Sequence, residues 1–213
     1  MVALAAPAAA QPATPGPAAS TAAGAEALNF NQTQGFAQAE VVLAEGEKYR
    51  VFVPLSKYGF ADAVPFFRQE EDIVGGMPPL YLSVDKVKTI YIMSTGLFLE
   101  HLVVDGKAER VLAAQVLQGA VELFTYAPVD FTRMGPAMYQ PQAAIMESQR
   151  QWFVRRPGAA VVRVKRGGFV KQMAAYFQDD PVLVETLEDK RMGFEDLRMV
   201  VRLYNEHHAA PAR

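Results

Sequence analysis

The sequence contains no cysteine. A chain without cysteine forms no disulfide, offers no thiolate nucleophile and cannot bind zinc or an iron–sulfur cluster through sulfur. Mechanisms that depend on these groups are therefore excluded.

The chain also has no large excess of positive or negative charge. The chain of 213 residues has a formal net charge of −2 at pH 7 and a pI of about 6.0. Proteins that bind nucleic acid chiefly through phosphate contacts usually carry a strong basic excess, so we expect no nucleic-acid partner. With 51% hydrophobic and 21% charged residues, the composition is typical of a globular protein with a sizeable core.

Long hydrophobic runs are absent as well. No apolar stretch of the sequence reaches the roughly 20 residues that a helix needs to cross a bilayer. We therefore expect that the folded part of the chain does not span a membrane.

The first residues are rich in alanine and have features of a targeting segment. A short apolar run leads to three alanines at 8–10 before Gln11, which matches the small-residue pattern of a signal-peptidase site, although no positively charged segment precedes it. We interpret residues 1–10 as the remnant of a signal peptide that starts upstream; the alternative is an Ala/Pro-rich leader without a targeting role. Residues 11–28 are rich in Pro, Ala, Thr and Gly and are predicted to be a disordered linker. The predicted localisation is export to the periplasm or outer envelope.

Residues 38–166 show the period of two and the turn signals that are typical of β-strands. Apolar runs at 41–43 and 49–55 flank a glycine-containing turn and predict a hairpin. Residues 58–79 are predicted to be a long connection, and 110–117 fit either a helix or a strand. Turns are predicted at Glu45-Gly46-Glu47, Ser94-Thr95-Gly96, Asp105-Gly106, Gln118-Gly119 and Pro157-Gly158, and a loop is predicted at 131–149.

The period changes to that of an amphipathic helix near residue 168. Asp180 before Pro181 combines a helix N-cap with a proline in the first turn, which favours a helix start at that point. The predicted fold is α+β, with an antiparallel, partly closed sheet or sandwich capped by about three C-terminal helices in a single domain over 38–208. The predicted β-rich part is 38–166, and the predicted helices cover 168–178, 181–191 and 194–206.

The last predicted helix ends in the pair Tyr204-Asn205. Tyr204 continues the apolar stripe that begins at Leu197, so we expect its ring to be buried against the sheet and its hydroxyl to find a polar partner. Asn205 is expected to hydrogen-bond nearby backbone. We interpret this part of the chain as a packed cap on the sheet.

Four segments of the chain carry features that follow one another in a characteristic order. These features are an aromatic strand pair, a Phe-Val helix, an Asp-Pro break and a closing helix that ends in Tyr-Asn. The segments are GAVELFTYAP (119–128), QWFVRRPG (151–158), GFVKQMAAYFQDDPVL (168–183) and GFEDLRMVVRLYN (193–205). In this order the chain resembles a family of uncharacterised exported proteins that is abundant in Bacteroidota. The resemblance implies a β-rich front half, C-terminal helices and a location in the cell envelope. It implies no catalytic residue.

Residues with catalytic or metal-binding chemistry are few and are not clustered in the sequence. The histidines, His101, His207 and His208, do not have the spacing of a metal site. The sequence contains no G-x-S-x-G motif and no glycine-rich phosphate loop. We therefore predict no catalytic, cofactor-binding or metal-binding residue. The alternative is a glycan-type envelope hydrolase that uses paired carboxylates, for which 69–72 and 185–189 are the acidic segments.

Charge is distributed unevenly near the C-terminus. Residues 150–171 carry seven basic residues and no acid, whereas 179–196 carry seven acidic and two basic residues. One interpretation is that the two segments dock and partly neutralise each other. The other is that the basic strip contacts an anionic partner such as lipopolysaccharide, a glycan or phospholipid headgroups. The candidate contact residues are Arg155, Arg156, Arg163, Lys165 and Arg166.

Together these features predict a non-enzymatic exported structural or interaction module of the bacterial cell envelope. Its partner is expected to be another envelope protein or an anionic envelope component bound through the 150–171 strip. No cofactor is predicted.

Overall fold

The structure is a computed structural model that describes residues 32–33, 35–56, 58–104, 107–127, 149–189 and 191–209. The predicted leader at 1–10, the linker at 11–28, the Asp105-Gly106 turn and nearly all of the 131–149 loop lie outside the described residues. The fold is α+β, with 43% of the described residues in strands and 26% in helices, which confirms the predicted fold class.

The strands are β1 (Gln32–Thr33), β2 (Phe36–Leu43), β3 (Lys48–Pro54), β4 (Phe60–Ala61), β5 (Ala63–Phe66), β6 (Leu80–Ser83), β7 (Val87–Ile92), β8 (Leu97–Val104), β9 (Lys107–Leu117), β10 (Glu122–Tyr126), β11 (Gln151–Arg155) and β12 (Val162–Val164). The helices are α1 (Glu70–Val74), α2 (Phe169–Tyr176), α3 (Pro181–Glu188) and α4 (Leu197–His207). Short 3-10 turns lie at Val84–Lys86 and Phe194–Asp196.

Most strands belong to one antiparallel sheet. Its order is β1-β2-β7-β8-β9-β10-β11-β12, with β3 on the other edge of β2 and β4 beside β9. Strands β5 and β6 form a separate two-stranded sheet, which an isolated bridge between Phe52 and Phe67 joins to β3. The large sheet does not close.

Buried apolar side chains form cores on both faces of the large sheet. The first core lies between the large sheet and the β5–β6 sheet, and it includes Phe36 and Phe67. The second core lies between β10 to β12 and helices α2 to α4, and it includes Trp152. Neighbouring residues of a strand point to opposite faces, so Phe124 and Phe153 belong to a third, smaller core on the far side. The helices therefore cover only one face of the C-terminal strands.

The predicted turns that fall within the described residues are present. Gly46 adopts a φ of 95° in the turn between β2 and β3, a conformation that glycine tolerates better than other residues. The turns at 94–96, at Gln118-Gly119 and at Pro157-Gly158 join β7 to β8, β9 to β10 and β11 to β12. The ambiguous segment 110–117 is a strand, because it belongs to β9, which pairs with both β8 and β10.

The predicted long connection at 58–79 is wrong. This segment contains strands β4 and β5 and helix α1. Strand β5 pairs with β6, which follows α1 in the chain, so the partner that stabilises β5 lies outside the segment. A kink at Asp62, with a φ of 54°, separates β4 from β5 and interrupts the alternation of a regular strand.

The C-terminal helices lie close to their predicted positions. Asp180 caps α3, because its Oδ1 accepts a hydrogen bond from the Leu183 N–H at 3.0 Å and Pro181 follows in the first turn. Glu195 and Asp196 lie in the 3-10 turn that leads into α4, where acidic groups complement the helix dipole. The buried stripe of α4 consists of Leu197, Val200, Val201 and Tyr204.

The side chain of Asn205 joins helix α4 to the sheet. The Val121 N–H donates to Asn205 Oδ1 at 2.7 Å, and Asn205 Nδ2 donates to the Val121 carbonyl at 2.9 Å. The amide thus pairs with the backbone just before β10 as a neighbouring strand would. Gly119 permits this approach, because a Cβ at that position would lie 2.7 Å from Asn205 Cγ.

We expect the Gly119→Ala substitution to destabilise the protein, because the added methyl group would collide with the Asn205 amide. Overpacking of this kind costs about 1–3 kcal/mol. In an Asn205→Ala background the same substitution should cost less, since the collision is removed. A double-mutant cycle from urea unfolding measures the difference. Additive effects of the two substitutions would contradict the contact.

Candidate functional site

The basic residues of the predicted strip separate into two groups in the structure. Arg155 ends β11 and Arg156 follows it, and both form ion pairs within the fold. Arg163 lies in β12, and Lys165 and Arg166 follow that strand. The two groups therefore occupy different surroundings, although they are close in sequence.

Arg155 connects three strands through its guanidinium. It donates to Glu122 of β10 at 2.6 Å and to both carboxylate oxygens of Glu100 of β8 at 2.6 and 2.9 Å. The hydrogen bonds to Glu100, and then those to Glu122, raise the pKa of Arg155 above its usual value. Because two carboxylates already balance its charge, Arg155 serves to cross-link the sheet.

Arg156 joins the end of β11 to the C-terminal helices. Its guanidinium donates to Asp179 Oδ1 and Oδ2 at 2.7 and 2.9 Å, to the Tyr204 hydroxyl and to the Tyr176 carbonyl. The hydrogen bonds from Arg156, with a further one from Tyr204, hold the pKa of the Asp179 carboxyl well below its usual value. This bidentate pair agrees with the interpretation that the basic and acidic segments dock on each other.

Tyr204 is buried, as the α4 stripe predicts. The residue is 1% exposed, and the centroid of its ring lies 4.7 Å from that of Phe177 and 4.0 Å from that of His208. Its hydroxyl donates to Asp179 at 2.7 Å and accepts from Arg156. The prediction of a packed tyrosine with a polar partner is therefore confirmed.

We expect Tyr204→Ala to lower the free energy of unfolding by about 3–5 kcal/mol, the range for aromatic truncation in a core. Tyr204→Phe keeps the ring and loses only hydrogen bonds to charged groups. Because Asp179 is partly exposed, that loss should be about 1.5 kcal/mol. Urea unfolding of both variants beside the parent protein measures the two effects. Equal midpoints for the parent and Tyr204→Ala would show that the ring does not stabilise the fold.

The lowered pKa of Asp179 predicts a contribution to acid sensitivity. A carboxyl whose pKa is lower in the folded state stabilises the fold above its unfolded pKa, and this contribution is lost as the pH falls toward the folded pKa. Asp179→Asn should therefore be less stable than the parent near neutral pH, and the difference should shrink below the ordinary pKa of 3.8. Urea unfolding at about pH 7 and about pH 3 measures this change. A difference that is the same at both pH values would contradict it.

The second group of basic residues, Arg163, Lys165 and Arg166, forms fewer or more exposed ion pairs with carboxylates than the first group. Arg163 donates to Glu109 at 2.7 Å and is 40% exposed. Arg166 pairs with Glu195 at 2.6 Å, but their side chains are 73% and 75% exposed, so the pair stabilises the fold by only about 0.2–1 kcal/mol. Lys165 is exposed, and its backbone N–H bonds to a side chain of α2.

A pocket of about 330 Å³ brings Arg163 and Arg166 together with two further arginines, Arg150 and Arg198. It lies between β11, β12 and the first turn of α4. Its lining contains four arginines and a single carboxylate, that of Glu195, and it does not include Lys165. The pocket is therefore strongly positive, whereas the chain as a whole has a net charge of −2.

Aromatic rings support three of these arginines. The guanidinium of Arg163 lies 5.5 Å from the ring centroid of Phe153. The guanidinium of Arg150 lies 4.9 Å from the centroid of the Tyr58 ring and 5.4 Å from that of Trp152, and it donates to the Tyr58 hydroxyl at 2.9 Å. The guanidinium of Arg166 lies 4.8 Å from the ring centroid of Phe194. A guanidinium that stacks on a ring keeps its N–H edge available for hydrogen bonds.

Arg198 and Arg163 have N–H groups without a protein acceptor in the described part of the chain. Arg198 is exposed and makes no hydrogen bond or ion pair there. The Nε atom of Arg163 is buried and meets no acceptor among the same residues. Guanidinium groups bind phosphate and carboxylate groups through pairs of N–H donors, so the pocket is suited to binding an anion.

Arg198 is the pocket residue that the sequence analysis did not identify. Helical periodicity predicts that it faces solvent on α4, and it is exposed. Its place beside Arg163 depends on how α4 docks against the sheet. No local spacing in the sequence signals that approach.

The histidines make hydrogen bonds within the fold. His101 Nε2 lies 2.7 Å from the Glu109 carbonyl. His207 Nδ1 lies 2.6 Å from Asp180 Oδ2, and His208 bonds to the backbone of its own helix. Among the residues that the structure describes, no three His, Asp or Glu side chains form a group that could hold a metal ion.

The acidic segments considered for a hydrolase lie on helices. Glu185 and Glu188 are both on α3, and the carboxylates of 70–72 are in the first turn of α1. Each set thus belongs to one helix, whereas a glycosidase holds its two carboxylates on either side of the scissile bond. The hydrolase stays an alternative prediction that this arrangement does not favour.

Comparisons with models of protein families, with curated proteins and with solved structures found no match. The resemblance to exported proteins of Bacteroidota therefore stays a prediction, as do export and the envelope location. In the described part of the chain, no helix is long and apolar enough to cross a membrane.

Proposed function

We propose that this chain is a non-enzymatic binding module of the bacterial cell envelope and that its arginine-lined pocket binds a phosphate-bearing headgroup. The observation that carries the proposal is the grouping of four arginines and one glutamate around a cavity of about 330 Å³. The envelope location rests on the export-like leader and on the family resemblance.

The distribution of carboxylates supports a binding role for the pocket. Arg155 and Arg156 show how the same segment places arginines that stabilise the fold, because each is bound to at least one carboxylate. The lining of the pocket contains four arginines and one carboxylate, Glu195, and a second carboxylate, Glu109, pairs with Arg163 from outside the lining. Such a concentration of one charge in a cleft raises the local potential and attracts anions.

The number of guanidinium groups favours phosphate over carboxylate as the bound group. A carboxylate has two oxygens and a single charge, so one or two arginines satisfy it. A phosphate monoester has three acceptor oxygens and a charge of about −1.5 to −2 at pH 7. Several arginines can therefore bind one phosphate at the same time.

Glu195 acts as an internal competitor in this proposal. It occupies Arg166 through an exposed ion pair, which is weak enough for a phosphate to displace it. Removal of the Glu195 charge should therefore strengthen anion binding. This gives the proposal a test in which affinity rises, an outcome that damage to the fold would not produce.

We expect Arg198→Gln to weaken binding to vesicles that contain phosphatidic acid, whose headgroup is a phosphate monoester. The loss should be about fivefold, which corresponds to about 1 kcal/mol for one arginine at an anionic surface. Arg202→Gln is the matched control, because Arg202 is exposed one turn further along α4 and is not part of the pocket lining. Co-sedimentation with vesicles at fixed salt concentration measures both affinities. Equal losses for the two variants would contradict binding in the pocket.

Glu195→Gln should increase the affinity for the same vesicles, whereas Glu206→Gln, at an exposed position of α4, should leave it unchanged. Vesicles of phosphatidylcholine should bind weakly to every variant.

Titration with glycerol phosphate separates the two sources of phosphate: saturable binding assigns the phosphate group itself, and binding to vesicles alone assigns the lipid surface. A failure of both probes to bind the parent protein would overturn the proposal.

A further inference from the structure

The large sheet stops short of closure at strand β3, and this leaves an opening into the first core. The only backbone pair between β3 and the segment after β5 in the described residues joins Phe52 and Phe67, with both N–H···O distances at 2.9 Å. The beginning of β3, from Lys48 to Val51, pairs with β2 alone. Apart from this bridge, the edge of β3 that faces away from β2 makes no strand pair in the described residues.

A cavity of about 510 Å³ occupies the opening. Its wall is formed by apolar side chains of β2, β3, β5 and β6, among them Leu43, Val51, Val53, Val64, Phe66 and Leu82. Val53 and Val64 belong to the first core, whereas the other four are only partly buried and pack against it. The cavity thus gives solvent access to apolar surface that a closed sheet would cover, and its volume lies within the range of ligand pockets.

The same lining includes two cations, Arg50 and Arg68. Both are exposed, and neither side chain makes a hydrogen bond or an ion pair with another described residue. Glu40 lies opposite Arg50 in the strand ladder, but its carboxylate is 3.4 Å from the Lys48 ammonium. The cavity therefore combines an apolar wall with two guanidinium groups that have no counter-charge in the described chain.

We propose that this cavity binds a single-chain amphiphile with a carboxylate head, that is, a long-chain fatty acid. The apolar wall would contact the hydrocarbon chain, and Arg50 and Arg68 would bind the carboxylate. Two other occupants fit the cavity less well than a fatty acid. A neutral hydrocarbon would leave the two arginines without an anion, and a small anion would leave the apolar wall in contact with water. This binding site is separate from the arginine-lined pocket and does not depend on its function.

The test is isothermal titration calorimetry of the full chain with dodecanoate below its micelle concentration. One saturable site with a negative heat-capacity change is expected, because apolar surface is buried. Dodecan-1-ol has the chain without the charge, and butyrate has the charge without the chain. Both should bind more weakly than dodecanoate. Absence of saturable dodecanoate binding to the parent protein would overturn the proposal.

Two sets of variants separate the head from the tail. The double substitution Arg50→Gln and Arg68→Gln should weaken dodecanoate binding by about tenfold or more, the effect of losing hydrogen bonds to a charged group, and should leave dodecan-1-ol binding unchanged. Lys88→Gln, at an exposed position of β7 outside the lining, is the matched control. Val51→Trp should fill the cavity and weaken binding of both ligands, while its circular dichroism stays that of the parent.

Other occupants of the opening give different results. If Val51→Trp abolishes self-association of the chain while dodecanoate does not bind, the opening belongs to a second copy and the proposal is wrong. Unchanged dodecanoate binding in both Val51→Trp and the arginine double variant would also overturn it. If Val51→Trp does not fold, the double variant alone decides, because its substitutions are at exposed positions.

Discussion

The docking of helix α4 on the sheet is the contact on which the C-terminal half depends. The Asn205 amide pairs with the backbone of Val121, and Tyr204 fills the core beside Phe177 while its hydroxyl meets the ion pair of Arg156. A hydrogen-bonded amide and a buried ring on consecutive residues fix both the position and the rotation of the helix. Because α4 is fixed in this way, its first turn lies against β12, and the arginine-lined pocket forms there. The pocket is therefore a consequence of core packing, and α4 is both a cap and one wall of a site.

The arginines of one short segment have two different roles, and the position of the carboxylates decides which. Glu100 and Glu122 meet Arg155 on the sheet, where the pairs are about one-fifth exposed or less and cross-link the strands. The pair of Arg166 and Glu195 is mostly exposed and holds little free energy. The ion pairs of Arg155 are strong and the ion pair of Arg166 is weak. The positive charge is therefore concentrated in the pocket, although the chain is slightly acidic overall. At the edge of β3, incomplete closure of the sheet leaves an apolar wall accessible to solvent.

The features that the sequence predicts correctly are those whose determinants are local. Gly46 marks a turn and Asp180 with Pro181 starts a helix, because the stabilising contacts come from neighbouring residues. The features that it misses depend on distant partners: β5 is stabilised by β6 beyond α1, and Arg198 meets the strip only after α4 has docked. For Asn205 the sequence predicts a backbone partner, but it predicts one nearby in the chain. The partner is Val121, which is 84 positions away. The division of the basic strip into paired and accessible arginines is set by tertiary contacts, which the sequence does not show.

The central claim is that the arginines around the pocket, and not those within the fold, bind the anion. The most direct measurement is the spectrum of arginine Nε–H groups by nuclear magnetic resonance during titration with glycerol phosphate. The account predicts that the signals of Arg163, Arg166 and Arg198 move in a saturable way. The signals of Arg155 and Arg156 should stay in place, because their donors are held by carboxylates. Uniform small shifts of all arginines, or shifts confined to Arg155 and Arg156, would contradict the account.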